Sequence, residues 1–229
     1  MKQLALDIGL VNQPTLDQVD AQTNPALVNR VTNWLQDLGH RNTQAPCPAI
    51  YIWGESGCGK SHLLGAIAHE LNKRGLLFGD LTSDTPPGQR WSIGWSTALI
   101  DDVHALDADG QTLAFQWFID AQGHQKTIIA AGRLPPADLT VRDDLRSRLG
   151  WGDVFAMQSP DDARRVAILQ GHARAKGLKL NVDVIEYLLV RFSRDLGHLV
   201  GLLDRLDEYA MQRKRPITIA LLRDLMQDL

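Results

Sequence analysis

The chain has 229 residues, with 24 Lys and Arg against 27 Asp and Glu, a formal charge of −3 and 44% hydrophobic residues. That apolar content fills a core and excludes disorder as the main state, and the slight negative charge excludes a protein that grips nucleic acid through bulk positive charge. No apolar run is long enough to span a bilayer, Met1-Lys2-Gln3-Leu4 lacks the apolar segment of a secretory leader, and Cys47 and Cys58 are too few for a disulfide framework or a four-ligand zinc site, so a soluble cytoplasmic protein is expected.

No repeat or low-complexity tract interrupts the chain. Residues 1–22 read as a poorly structured tail with Pro14 and scattered Gln, Asp and Thr. Asn24-Pro25 opens a helix, because Asn favours the cap and Pro the first helical position, and Leu27, Val28, Val31 and Leu35 follow at helical spacing. Residues 40–48 hold two prolines and read as a loop. Ala49–Trp53 is a short apolar run of the kind that forms a buried parallel strand, and a helix follows over about 60–73. Leu76–Phe78 reads as a second strand, 82–90 as a loop, and Trp95–Ile100 as a third strand ending at Asp101-Asp102. A helix over 111–121, a fourth strand at 127–131 and a short fifth at 154–156 complete an alternation that predicts a parallel sheet covered by helices. Beyond Ser159-Pro160 only helices are expected, over about 161–176, 182–192, 196–213 and 217–228, with Asn181 and Thr218 near helix starts. The expected organisation is a tail (1–22), an α/β nucleotide-binding domain (23–158) and a small helical domain (159–229).

The segment between the first strand and its helix, Gly54-Glu55-Ser56-Gly57-Cys58-Gly59-Lys60-Ser61, fits G-x-x-x-x-G-K-[ST] throughout. Glycines let the backbone take positive φ and approach phosphate oxygens, and the following helix presents its positive end. Lys60 is placed to reach the β- and γ-phosphates of ATP or ADP and the Ser61 hydroxyl to bind Mg²⁺; His62 adjoins the loop and is counted with it. Cys58 reads as a small filler. A phosphate loop also needs a carboxylate for the metal at the end of a nearby apolar strand. Asp101 supplies it, and Asp102 is placed to polarise an attacking water; the same pair also reads as a helix cap.

Together with these motifs, Ile100-Asp101-Asp102-Val103-His104 and above all Leu145-Arg146-Ser147-Arg148-Leu149-Gly150-Trp151-Gly152 resemble the AAA+ module of the bacterial replication initiator DnaA, from about Asn24 to the C-terminus. The resemblance implies a P-loop AAA+ fold: a parallel sheet flanked by helices, with a small C-terminal all-helical lid. DnaA's helix-turn-helix DNA-binding domain and its N-terminal partner-binding domain are expected to be missing, a layout similar to the Hda group of DnaA-related regulatory inactivators. That group carries an N-terminal clamp-binding peptide of the form Q-L-x-L-P-L. Gln3-Leu4-Ala5-Leu6-Asp7-Ile8 is similar: Gln3, Leu4 and Leu6 are kept, Ile8 keeps the apolar end, and Asp7 replaces the proline. Such an extended peptide presents Gln to a polar site and leucines to an apolar pocket.

The resemblance also assigns roles. Arg148 stands at the arginine-finger position, reaching a neighbouring subunit's nucleotide, where a planar permanent cation suits the spread γ-phosphoryl charge; Arg142 and Arg146 are nearby alternatives. Arg194, in Ser193-Arg194-Asp195-Leu196-Gly197-His198-Leu199, matches the sensor-2 arginine that contacts phosphates from the lid. The sensor-1 segment departs from relatives: Ala131 and Arg133 occupy polar positions and Leu134 stands where an arginine is usual, which predicts weak intrinsic hydrolysis. The segment 81–96 is short where DnaA has a DNA-facing helix; Trp91 and Trp95 read as packing residues, and no direct DNA binding is expected. The implied function is a regulator that docks on the DNA polymerase sliding clamp (the polymerase III β subunit), offers Arg148 to ATP-bound DnaA and so prevents re-initiation. A finger and a nucleotide site on one chain are complementary patches, so a homo-oligomer is also expected; a membrane role is not. The alternatives are a DnaC-type helicase loader and a free-standing AAA+ ATPase. The shortened DNA-facing segment and the clamp-like peptide argue against the first, the altered sensor-1 segment against the second.

Overall fold

A computed structural model describes residues 14–16, 19–38, 49–86, 88–178, 180–192 and 196–227. Five strands form one parallel sheet: β1 (Ile50–Trp53), β2 (Leu77–Leu81), β3 (Trp95–Ile100), β4 (Thr127–Gly132) and β5 (Asp153–Ala156), in the order β2-β3-β4-β1-β5. Helices α1 (Pro25–Asp37), α2 (Lys60–Lys73), α3 (Ala108–Gly123) and α4 (Asp143–Leu149) cover the sheet. Helices α5 (Asp162–Ala175), α6 (Val182–Arg191), α7 (Leu196–Arg213) and α8 (Ile219–Gln227) form a separate C-terminal layer.

The central strands are mostly apolar because both faces are covered. Alternate residues feed two cores. Ile50, Ile52, Leu99 and Ile129 pack with Val31 and Leu35 of α1 and Leu63 and Ile67 of α2. Tyr51, Ile100, Ile128 and Ala130 pack with Trp117 of α3 and Leu145 and Leu149 of α4. Each fully buried Ile or Leu contributes about 1.5–3 kcal/mol. Two hydrogen bonds run through the interior: Trp34 Nε1 donates to Thr127 Oγ1 at 2.9 Å, and Thr97 Oγ1 donates to the Thr127 carbonyl at 2.7 Å. These bonds tie α1 to β4 and β4 to β3. The third core, built on Leu169, Ile185, Leu188, Leu203 and Leu221, belongs to the C-terminal helices alone. No helix among the described residues is long and apolar enough to cross a membrane.

Four sequence expectations change. The second strand runs Leu77–Leu81 rather than 76–78, since Gly79 and Asp80 still pair with Ala98 and Leu99 of β3. Helix α4 was not anticipated, because over its seven residues the apolar face is only Leu145 and Leu149. Parts of the expected tail (1–22) pack on the body: Val19 and Asp20 are buried and the Pro14 ring lies against Gly65. Asn24 does not cap α1 with its side chain. Its Nδ2 donates to the Gln158 carbonyl at 3.1 Å and its Oδ1 accepts from the Gln158 amide at 2.8 Å, so it clasps the segment leading into α5.

One close approach governs how β5 joins the sheet. The Asp153 amide donates to the Ala49 carbonyl at 2.8 Å, and a Cβ on Gly152 would lie 1.9 Å from that same oxygen. Only glycine lets the chain pass there. Gly152→Ala is expected to destabilise the protein by about 3 kcal/mol, read as a lower urea midpoint at unchanged slope.

Candidate functional site

The carboxyl end of β1 runs directly into the glycine loop. The Gly54 amide donates to the Gly132 carbonyl at 3.3 Å, which ties the loop to the end of β4. Gly57 and Gly59 sit at φ 76° and 107°, conformations that side chains disfavour. Lys60 begins α2 but is only 6% exposed. Its Nζ donates to the Gly54 and Glu55 carbonyls, each at 2.8 Å, and lies 3.7 Å from Cys58 Sγ. No carboxylate among the described residues pairs with it. A buried ammonium held by neutral oxygens at a helix N-terminus is matched to an anion. The loop residues therefore fit the phosphates of ATP or ADP. Burial pushes the Cys58 thiol above its ordinary range despite the neighbouring Lys60 charge, consistent with a filler and not a nucleophile. His62 is half-buried with no hydrogen-bond partner for Nε2. Burial first, then the nearby His172 of α5, hold its imidazole below the ordinary range.

The carboxyl end of β3 carries the acidic pair. The Asp101 amide continues the ladder to the Leu81 carbonyl at 2.9 Å. The Asp102 amide donates to Asp101 Oδ1 at 2.9 Å, and Asp102 takes φ 45° with its carboxylate exposed. That backbone turn aims the two carboxylates differently, and Asp102 makes no side-chain cap on the following turn; the cap reading is thereby corrected. Ser61 is exposed at the start of α2. Among the described residues no three His, Cys, Asp or Glu groups cluster as ligands; Ser61 and Asp101 offer oxygen donors, the type hard Mg²⁺ prefers. Between loop and acidic pair, β4 ends at buried Ala131 and Gly132, with Arg133 and Leu134 exposed beyond it. No polar side chain projects from the strand end at Ala131.

The three candidate arginines differ sharply in their partners. Arg142 pairs with Asp144 at 2.7 Å, and Arg146 pairs with Asp143. Arg148 has no carboxylate partner among the described residues. Its Nη1 donates to Gln122 Oε1 at 3.1 Å, and its guanidinium carbon sits 4.2 Å over the Trp151 ring. Gln122, from the far end of α3, escaped the sequence reading; nothing in its local pattern marks it. Arg148 also lies apart from its own phosphate loop. Helix α4 packs on the α3 face of the sheet and α2 on the opposite face.

The joint to the helical layer is clasped twice. Besides Asn24 and Gln158, Arg164 of α5 donates to Asp20 at 2.8 Å. Burial would raise the Asp20 carboxyl, but hydrogen bonds from Thr23 and Arg164 and the Arg164 charge outweigh it and hold it below the usual range. Trp91, Trp95 and Trp117 meet edge to face at centroid distances of 5.4 and 4.9 Å, a packing cluster as expected. Gln3, Leu4, Leu6, Ile8 and Arg194 lie outside the described residues.

Residues 162–226 match the family model described as the lid domain of Hda. The chain is 31% identical over 208 residues to the chromosomal replication initiator DnaA of Clavibacter sepedonicus, a match covering 81% of this chain and 44% of that one. The chain belongs to the DnaA-related AAA+ family. It spans less than half the length of that DnaA relative. Among solved structures, domain III of Thermotoga maritima DnaA superposes with a TM-score of 0.73 at 22% identity, covering 93% of this chain and 95% of that one. AMPPCP-bound DnaA of Aquifex aeolicus gives 0.66 at 24% identity, covering 85% of this chain and 65% of that one. The sheet with its flanking helices is thus a DnaA-type AAA+ module, and α5–α8 are its lid.

His62 carries a pH signature. Its folded pKa lies below the unfolded value near 6.5, so the unfolded chain takes up the proton first and stability falls as pH drops below about 6.5. His62→Gln is expected to flatten the decline in melting temperature between pH 7 and pH 5, with little change above pH 7.

Proposed function

We propose that this protein is a nucleotide-bound regulator of DnaA that acts from the sliding clamp: residues 3–8 dock on the DNA-loaded clamp, and Arg148 is offered to ATP held by DnaA. The observation that carries this reading is the state of Arg148. It is the one of the three clustered arginines with no carboxylate partner among the described residues, and it projects from the sheet face opposite its own P-loop helix. An arginine so placed serves another subunit's nucleotide, and DnaA, a member of the same family, is the partner the resemblance favours.

On this reading the chain's own site is a structural one. Lys60 and the amides of Gly54, Glu55, Ser56, Gly57, Cys58 and Gly59 bind the phosphates of ADP or ATP, with His62 beside them. Ser61 and Asp101 hold Mg²⁺, and Asp102 stands ready to orient water. Bound Mg²⁺-nucleotide supplies the negative charge that the buried Lys60 and the α2 N-terminus lack. Arg194 reaches the phosphates from the lid, so binding sets the angle between lid and sheet. With Ala131 where a polar sensor is usual, turnover by the chain itself is weak.

The chemistry at DnaA is ordinary phosphoryl transfer. Water attacks the γ-phosphorus of ATP, the bond to the β–γ bridging oxygen breaks, and ADP and phosphate leave. Arg148 donates to the γ-phosphoryl oxygens as charge spreads over them, a contribution of about 10³–10⁵ in rate. DnaA is left with ADP, which prevents re-initiation. Clamp tethering explains how a chain of charge −3 works beside DNA without binding it directly. Self-association through the same finger and nucleotide patches is compatible with this scheme.

Arg148→Ala is expected to lower hydrolysis of DnaA-bound ATP on clamp-loaded DNA by about 10³-fold or more, followed as conversion of radiolabelled ATP to ADP. Undiminished conversion sinks the mechanism. Deleting residues 3–8 is expected to abolish retention on immobilised clamp while leaving ADP binding, measured by calorimetry, unchanged.

A further inference from the structure

The setting of Arg148 contains a device that its role as a finger does not itself require. Helix α4 ends at Leu149, and the Trp151 amide donates back to the Arg148 carbonyl at 3.1 Å. This turn swings the indole beneath the guanidinium, 4.2 Å from its carbon. The next residue, Gly152, is locked against the Ala49 carbonyl, so the backbone carrying the indole is fixed to the sheet. Yet Trp151 is not a core residue: it is 64% exposed. From the other side, Gln122 of α3 accepts from Nη1 at 3.1 Å.

Resting on the reading that Arg148 is offered to a partner's nucleotide, we propose that Trp151 and Gln122 are positioning residues that hold the Arg148 guanidinium in its delivery orientation. Both partners are neutral. A carboxylate would hold an arginine more firmly, as Asp144 and Asp143 hold Arg142 and Arg146, but it would cancel the charge the phosphoryl group needs and would have to be broken on delivery. An aromatic face and a carboxamide fix the plane of the cation while leaving its charge intact. A single Nη1–H is spent on Gln122, and the remaining N–H donors have no partner among the described residues. The flat indole also limits the rotamers of a long side chain, so less freedom is lost when partner and arginine meet.

The test measures DnaA-bound ATP hydrolysis on clamp-loaded DNA against the concentration of the full-length protein. Trp151→Ala is expected to lower the maximal rate about tenfold while the half-saturating concentration stays within about twofold. Trp151→Phe keeps most of the rate, because a ring face remains. Gln122→Ala loses about threefold. The double variant Arg148→Ala/Trp151→Ala is no slower than Arg148→Ala alone, because Trp151 acts only through Arg148. Melting temperatures of all variants are compared with the parent; Trp151 is exposed, so they should agree. A Trp151→Ala effect confined to half-saturation, or a double variant slower than Arg148→Ala, makes Trp151 an ordinary contact residue and overturns the proposal. If Arg148→Ala abolishes stimulation and Trp151→Ala is silent, the positioning proposal alone fails. If Arg148→Ala is silent, the functional reading fails with it.

Discussion

Strand β1 is the constraint on which the other features hang. It has four residues, about 13 Å of chain at 3.3 Å each. It is hydrogen-bonded on both edges, to β4 and to β5. At its carboxyl end the chain turns into the glycine loop and Lys60. There too the Met157 amide donates to the Trp53 carbonyl at 2.7 Å, which places the start of the lid connection beside the loop. At its amino end Ala49 receives Gly152 and Asp153, and with them the segment that carries Arg148 and Trp151. A single short strand therefore sets the positions of the phosphate loop, the lid and Arg148.

Two cations show how one fold prepares opposite electrostatic tasks. Lys60 is buried among carbonyl oxygens, where an ammonium is stable only with compensation. Its surroundings suit an anion held for long periods. Arg148 lies at the surface against neutral partners, with its charge undiminished. Its surroundings suit an anion met briefly. Arginine is the better residue for the second task because its delocalised plane stacks on an aromatic ring and presents several donors at once.

The lid is fastened to the sheet domain by polar clasps. Asn24 holds Gln158 and Asp20 holds Arg164, while the lid keeps its own hydrophobic core. An interface of that kind moves more readily than a continuous apolar one. His172 of the lid lies near enough to His62 for its charge to lower that imidazole's pKa.

Much of this was legible in the sequence because it is encoded by short-range patterns. The apolar runs became β1, β3 and β4, the glycines and Lys60 specified their loop, and Asn24-Pro25 started a helix. What the tertiary structure decided were pairings between distant residues. Asn24 was legible as a cap, yet its Oδ1 accepts from the amide of Gln158, 134 positions away, and not from a first-turn amide. Arg142 and Arg146 take carboxylates two and three positions away, a local pairing; only packing gave Arg148 its Gln122, 26 positions distant, in place of such a partner. Gly152 read as one letter of a motif, and its necessity emerged from the Ala49 carbonyl just before the neighbouring strand. Periodicity and turn chemistry act over a few residues and can be read along the chain. Which charge stays free depends on what the folded chain places next to it, and that is a property of the packing.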